Sequence, residues 1–107
     1  MISVLDYGAG NVGSVIRMIE RAGGTARRIA SSEEILVAQK LVIPGVGAFN
    51  HGMSQLTSRK LLVALNSTAL EARIPVLGIC LGMQLLAEVG YEGGCSQGLG
   101  FIPGSVK

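Results

Sequence analysis

The 107-residue sequence has little charge, few cysteines and no long hydrophobic run. Its net charge of +2 comes from scattered lysines and arginines, which argues against a nucleic-acid-binding protein. Two cysteines provide no disulfide framework and suit a reducing compartment. The first residues lack the basic segment of a signal peptide, and no stretch has the length of a transmembrane helix. We therefore expect a cytoplasmic protein with no nucleic-acid or membrane partner.

Apolar residues are abundant, at 49% of the sequence, and the mean hydropathy is +0.51. Short strand-like runs alternate with segments of helical periodicity, which predicts the α/β class, with a mostly parallel sheet flanked by helices. Asn11 and either Ser31 or Ser32 are predicted helix N-caps, and Gly23-Gly24 is predicted to end the first helix. The predicted strands are residues 2–6, 25–29, 41–43, 76–79 and 101–102, and the predicted helices are residues 12–22, 33–38, 49–56, 58–72 and 84–88.

One segment puts a cysteine between an apolar strand and a helix-forming sequence. Gly78, Cys80 and Gly82 match the nucleophile-elbow pattern, with Cys where hydrolases carry Ser. A nucleophile on so sharp a turn needs small neighbours two residues away on either side. Cys80 would also lie at a helix N-terminus, where backbone N–H groups favour the thiolate. The alternative interpretation is a buried structural cysteine that follows a core strand.

The loop after the third predicted strand, residues 44–49, is a candidate for an oxyanion hole. The carboxyl ends of parallel strands share one crevice, so this loop should lie beside Cys80. Acyl chemistry at a cysteine needs N–H donors aimed at the developing oxyanion. The N–H of Leu81, directly after the nucleophile, is one candidate, and the backbone at Val46 and Gly47 is the second. Alternatively, the two glycines of this loop only form a structural turn.

Residues 8–13 match G-x-G-x-x-G after a strand and at a helix start, as in dinucleotide-binding folds. That fingerprint also expects an acidic residue about 20 positions later, at the end of the second strand. The corresponding region carries Arg27 and Arg28 instead. Two interpretations therefore remain, a nucleotide-binding α/β half-domain and a tight turn built from small residues.

Other polar residues give weaker signals. A thiol nucleophile needs a base, but the only histidine, His51, has no carboxylate at an obvious orienting distance in sequence, and a solvated helix residue is the simpler interpretation. Gln84 lies one helical turn after Cys80 and can offer its amide to a polar substrate. Glu92, in a glycine-rich loop, can meet a substrate ammonium or simply be solvated. Cys95, in the same loop, is interpreted as an incidental thiol.

Together these motifs resemble the class I (triad) glutamine amidotransferases, whose elbow reads Gly-x-Cys-x-Gly-x-Gln. Within that superfamily, the sequence is similar to the amidotransferase subunits of imidazole glycerol phosphate synthase. Met83 before Gln84 supports this, because anthranilate- and GMP-type relatives usually have His at that position. The resemblance covers all 107 residues. It is carried by residues 6–11, 44–49, 78–84 and 98–106.

The resemblance implies a flavodoxin-like class I amidotransferase fold and a glutaminase reaction. Cys80 would attack the side-chain amide of glutamine, giving a glutamyl thioester and ammonia. The N–H groups of Val46 and Leu81 would form the oxyanion hole, with the Val46 peptide reoriented on activation. No cofactor or metal is expected. Three further matched positions would hold the glutamine, namely Gly47, Gln84 and Glu92.

The resemblance also implies a partner and an incomplete domain. Ammonia would pass to a (β/α)8-barrel cyclase subunit in histidine biosynthesis, and the loop ending at Asn11 would face that partner without holding a nucleotide. The family's triad His and Glu, in a His-x-Glu motif, lie beyond Lys107, and His51 does not match that position. We therefore predict that residues 1–107 are the N-terminal portion of a single amidotransferase domain, inactive alone. An apolar sheet edge left without a neighbour would favour self-association.

Overall fold

The computed structural model describes residues 1–90 and 96–106 of the protein, and its centre is a four-stranded parallel sheet. The strands are β1 (Ile2–Leu5), β2 (Ala26–Ile29), β3 (Leu41–Ile43) and β4 (Val76–Gly78). They lie in the order β2-β1-β3-β4, and every pairing is parallel. The predicted α/β class is confirmed, as are these four strands to within a residue.

The first two helices begin at the predicted caps. In α1 (Val12–Arg21), the side chain of Asn11 accepts a 3.1 Å hydrogen bond from the N–H of Ser14. In α2 (Ser32–Leu36), Ser31 and Glu34 form a reciprocal capping box. The chain leaves α1 through Gly23, whose φ of 92° suits a residue without a Cβ. The predicted caps and the end of α1 are therefore confirmed.

The long helix predicted over residues 58–72 is wrong at its start. The preceding helix, α3 (Phe49–Ser58), runs two residues further than predicted, and Lys60 then takes a left-handed φ of 59°. A left-handed residue cannot continue a right-handed helix, so a new helix, α4 (Leu62–Asn66), starts after it. It passes into a π-helical segment, Ser67–Glu71, where the buried Thr68 hydroxyl donates to the Ile35 carbonyl at 3.1 Å.

The helix after the elbow, α5 (Leu81–Leu85), ends three residues before the predicted Glu88. A returning segment, residues 99–102, folds back against the end of this helix and donates hydrogen bonds to the carbonyls there. The prediction of a strand at residues 101–102 is wrong, because the structure shows bends at these two residues. A small second sheet forms instead from β5 (Val89–Gly90), β6 (Ser96–Gln97) and β7 (Ser105–Val106), in the order β6-β5-β7. The carbonyls of Leu85, Leu86 and Ala87 accept, respectively, from the N–H groups of Leu99, Ile102 and Gly100.

The sheet is covered on both faces, as the alternating pattern predicts. Side chains alternate along β3, so Val42 packs under α1 while Leu41 and Ile43 point to the larger cluster on the other face. That larger cluster includes Phe49 and Leu56 of α3, both fully buried. The carboxyl ends of the strands are thereby fixed along one edge of a well-packed core.

Strand β4 forms one edge of the main sheet, because among the described residues it pairs only with β3. Leu77 in this strand is 58% exposed, which agrees with the predicted apolar edge. The self-association predicted from that edge stays a prediction. No helix in the described part of the chain is long and apolar enough to cross a membrane.

The turn from β4 into α5 requires glycine at two positions. A Cβ on Gly82 would overlap the carbonyl oxygen of Ile43, and a Cβ on Gly78 would lie 2.5 Å from the Cα of Met83. Both obstacles are backbone atoms, which cannot move aside as a side chain can. The small neighbours predicted for the elbow are therefore required by contact of the turn with β3 and with α5.

We predict that Gly82→Ala lowers the free energy of unfolding by at least about 2 kcal/mol, because the new methyl must displace the β3 backbone. Urea denaturation followed by circular dichroism measures this. Gly13→Ala in α1 is the matched control, since its Cβ would make only ordinary contacts with side-chain atoms, the Arg17 guanidinium at 3.4 Å and Asn11 Oδ1 at 3.8 Å. That variant should be roughly 0.5–1 kcal/mol more stable than the parent. Equal urea midpoints for the two variants would contradict the packing argument.

Candidate active site

Cys80 lies on the turn between β4 and α5, where the elbow pattern predicts it. Its backbone adopts φ 53° and ψ −118°, a conformation that a residue with a Cβ rarely takes. The side chain is exposed and forms no disulfide. The alternative of a buried structural cysteine is therefore wrong. With only five residues in α5, any helix dipole beside Cys80 extends over little more than one turn.

The loop at residues 44–48 lies beside this turn, as expected for neighbouring parallel strands. The contact is direct, since the N–H of Leu81 donates to the carbonyl of Gly45 at 3.1 Å. Beyond this point the loop opens to solvent, because Val46 is 65% exposed and Gly47, at φ 108°, has no atom within 4 Å of a built Cβ. The loop is thus attached at Gly45 and free at Gly47.

Both predicted oxyanion donors are already engaged in this conformation. The N–H of Leu81 is bonded to the Gly45 carbonyl, and the N–H of Val46 donates to the carbonyl of Ala9 at 2.6 Å. The Gly45 carbonyl and the Val46 N–H belong to the same peptide group. One rotation of that group therefore withdraws the oxygen from Leu81 and turns the Val46 N–H away from Ala9.

Tyr7 forms a hydrogen bond to the first residue of this loop, Pro44, and this role was not predicted from the sequence. Its side chain is 1% exposed, and its hydroxyl donates to the Pro44 carbonyl at 2.5 Å. Burial raises the pKa of the phenol to about 12, so it remains a donor at physiological pH. A Cβ on Gly45 would overlap the phenol oxygen. The available signal was a tyrosine directly after a buried strand, since a buried phenol needs an acceptor.

The glycine-rich turn at residues 8–11 packs against the same loop. A Cβ on Gly10 would lie 3.1 Å from the backbone nitrogen of Gly45, so this glycine permits close approach of the protein's own backbone. Asp6 accepts hydrogen bonds from the N–H of Gly8 at 3.2 Å and from Arg28 Nε at 2.6 Å. The Arg28 hydrogen bond is the main reason why the pKa of Asp6 lies below its usual value. These contacts favour the tight-turn interpretation over a nucleotide fingerprint.

Gln84 and His51 occupy different positions relative to the elbow. Gln84 follows Cys80 by one turn of α5, with its N–H 3.3 Å from the Cys80 carbonyl, and is half-buried. His51 is exposed on α3, and its ring has no hydrogen-bond partner among the described residues. No group there orients it as a base. Glu92 and Cys95 lie outside the described residues.

The described residues offer no obvious place for a metal ion. Within residues 1–90 and 96–106, no three His, Cys, Asp or Glu side chains come together as a metal site requires. What the arrangement offers chemically is an exposed thiol beside one peptide group whose rotation would release two N–H donors. That combination fits attack on an acyl carbon.

Comparison with known proteins gives the family of this chain. A family model described as glutamine amidotransferase class-I matches residues 3–93. A crystal structure of a glutamine amidotransferase superposes with a TM-score of 0.79 over 97% of this chain and 54% of that chain. The two sequences are 19% identical, so this likeness concerns the fold.

Closer relatives carry the name imidazole glycerol phosphate synthase subunit HisH. HisH 1 of Campylobacter jejuni is 44% identical over 106 residues, covering 99% of this chain and 53% of the relative. HisH of Streptococcus sanguinis is 47% identical over 104 residues, covering 97% and 50%. HisH 2 of Methanococcus maripaludis is 46% identical over 102 residues, covering 95% and 50%.

The chain thus spans about half the length of the curated relatives it matches. The family model extends over residues 3–93 of the 107, which include the elbow and its neighbouring loop. The chain belongs to the class I glutamine amidotransferase family.

Proposed function

We propose that this chain provides the nucleophile and the oxyanion loop of a glutaminase, in the amidotransferase subunit of imidazole glycerol phosphate synthase. The observation that carries the proposal is the exposed Cys80 on its strained turn, hydrogen-bonded through Leu81 to the Gly45 carbonyl. The similarity to the HisH relatives supports the choice of glutamine as the substrate. In this proposal, residues 1–107 are the N-terminal portion of one amidotransferase domain.

The proposed reaction begins when the Cys80 thiolate adds to the side-chain carbonyl carbon of glutamine. The carbonyl oxygen becomes an oxyanion, and collapse of this tetrahedral species expels the amide nitrogen, which takes up a proton and leaves as ammonia. The remaining glutamyl thioester is hydrolysed by water to glutamate and the free thiol. Proton transfer in both steps falls to the family's His-x-Glu pair, which has no counterpart in these 107 residues, so we expect no turnover by this chain alone.

The oxyanion is proposed to bind where the Gly45 carbonyl now sits. Rotation of the Gly45–Val46 peptide group exposes the Leu81 N–H and brings the Val46 N–H toward the same point. Removing one such donor in other enzymes costs on the order of a hundredfold or more in rate, so the unrotated loop should be a poor catalyst. The rotation changes ψ of Gly45 and φ of Val46, and it is permitted by the absence of a Cβ at Gly45 and by the 65% exposure of Val46.

Glutamine itself is proposed to contact three residues. Gln84 lies on the first turn of α5 and presents an amide, and the Gly47 backbone lies on the open side of the oxyanion loop. Glu92 is proposed to meet the substrate ammonium. A primary amide and a carboxylate give the hydrogen-bonding complement that a free amino acid requires.

The proposed partner is a (β/α)8-barrel cyclase that receives the ammonia. Its docking surface would include residues 8–11, where Asn11 is exposed, and the neighbouring face of α1. Arg17 and Arg21 line a shallow groove on that helix with Ser14, which suits an acidic partner surface. The same turn contains the Ala9 carbonyl that holds the Val46 N–H, so docking there bears on the rotation of the loop.

A carbonyl-directed reagent tests the proposed chemistry on the chain as it exists. The quantity to measure is the ratio of two alkylation rates, that of a glutamine-like chloromethyl ketone divided by that of iodoacetamide. We predict that this ratio is at least about tenfold higher for Cys80 than for the free thiol N-acetylcysteine. The ketone oxygen gains charge when the thiolate adds, whereas iodoacetamide reacts by direct displacement and needs no oxyanion donor. Cleavage after Glu88 and Glu92 by a glutamate-specific protease puts Cys80 and Cys95 on different peptides, so mass spectrometry separates labelling at the two positions.

Two controls sharpen that comparison. Millimolar glutamine should slow the ketone reaction, while asparagine, one methylene shorter, should not. Cys80→Ser should remove the labelled peptide. A rate ratio equal to that of N-acetylcysteine, with no protection by glutamine, would reject a glutamine-directed oxyanion site.

The partner surface is tested by a substitution that keeps the helix cap. Asn11→Asp preserves a capping oxygen for the Ser14 N–H, so the free energy of unfolding should change by less than about 0.5 kcal/mol. The new charge should weaken binding to the cyclase subunit roughly tenfold, because a neutral amide contact becomes a desolvated carboxylate. Isothermal titration calorimetry measures this. Ser31→Asp, a similar cap change on α2, is the control, and equal affinities for all three proteins would contradict the proposed surface.

A further inference from the structure

Among the described residues, the hydroxyl of Tyr7 has one hydrogen-bond partner, at the point where β3 becomes the oxyanion loop. The phenol lies 37 residues away in sequence from Pro44, whose carbonyl oxygen accepts its hydrogen bond. The ring is almost completely buried and belongs to the larger apolar cluster. A buried side chain of this size has few alternative rotamers, so the position of its oxygen is well defined.

We propose that Tyr7 is a positioning residue for the oxyanion loop, whose hydroxyl fixes the Pro44 carbonyl so that only the next peptide group, between Gly45 and Val46, rotates. This inference rests on the proposed glutaminase function. It adds a residue that does not touch the substrate but determines where the Val46 N–H points after the rotation.

Hydrogen bonds hold the backbone as far as the Gly45–Val46 peptide group, and the loop is open at Gly47. The Ile43 carbonyl accepts from the N–H of Ile79 at 3.0 Å, and the Pro44 carbonyl accepts from Tyr7. Gly10 packs against the backbone on both sides of the Pro44–Gly45 bond. From Val46 onward the loop is largely exposed. The Tyr7 hydrogen bond is therefore the last side-chain anchor before the peptide group that must turn.

Without that anchor, the rotation would not be confined to one peptide group. The Pro44 carbonyl would be free to turn as well, and the Val46 N–H would then sample several directions instead of one. Electrostatic stabilisation of an oxyanion depends on donors held in advance at the correct place. Loss of the hydroxyl should thus reduce the benefit of the oxyanion hole while leaving the thiol itself unchanged.

Tyr7→Phe removes only the oxygen, and the chain offers a matched control. Thr68 also donates a buried hydroxyl to a backbone carbonyl, that of Ile35, but this hydrogen bond joins the π-helical segment to α2 and involves no residue of the loop. Thr68→Val deletes that hydroxyl at nearly constant volume. Both variants lose one buried hydrogen bond, so a purely structural role for Tyr7 would give the two the same phenotype.

Two measurements separate positioning from stability. For Tyr7→Phe, the ratio of the chloromethyl ketone rate to the iodoacetamide rate at Cys80 should fall about two- to tenfold, the equivalent of one hydrogen bond, with the iodoacetamide rate unchanged. Amide relaxation dispersion should detect new exchange at Val46 and Gly47 in this variant. Thr68→Val should match the parent in both measurements.

The proposal is overturned if Tyr7→Phe behaves as the parent in the rate ratio and in amide relaxation, or if Thr68→Val shows the same changes. A parent protein that shows no preference for the ketone over iodoacetamide would refute the proposed function, which is a separate result. In that case, amide relaxation alone decides the role of Tyr7. New exchange confined to the loop supports it, and unchanged relaxation rejects it.

Discussion

The arrangement of the candidate site depends on one peptide group, the one between Gly45 and Val46. Its carbonyl accepts a hydrogen bond from Leu81 on the elbow, and its N–H donates to Ala9 on the first glycine-rich turn. Three segments that are distant in sequence are joined through these two bonds. These two hydrogen bonds also occupy both N–H groups that an oxyanion would need. In the described conformation the protein satisfies both donors itself, and in the proposed function this is the resting state.

This convergence is possible because backbone approaches backbone without intervening side chains. Gly82 lies against the Ile43 carbonyl, and Gly10 lies against Gly45. In the parallel sheet the carboxyl ends of β1, β3 and β4 lie at the same end of the strands. The glycines allow the loops that follow these strands to contact one another there. The strained φ of Cys80 follows from the same crowding, which leaves the thiol exposed above a packed core.

Much of this organisation could be predicted from the sequence, because it depends on local patterns. Strand periodicity, the Asn11 cap and the elbow spacing each involve residues within a few positions of one another. The parts that could not be predicted depend on distant contacts. The early end of α5 results from hydrogen bonds to the returning segment at 99–102, and the Tyr7 bond to Pro44 joins residues that follow two different strands, β1 and β3. The engagement of Val46 by Ala9 has no local signal either.

The central claim is that the Gly45–Val46 peptide group changes its hydrogen-bond partners when a substrate carbonyl occupies the oxyanion site. Scalar coupling across hydrogen bonds, measured by nuclear magnetic resonance, reports this directly. In the free protein we expect coupling from the Val46 nitrogen to the Ala9 carbonyl carbon and from the Leu81 nitrogen to the Gly45 carbonyl carbon. Both should disappear once Cys80 carries the glutamine-like ketone. Retention of both couplings in the fully alkylated protein would contradict the account.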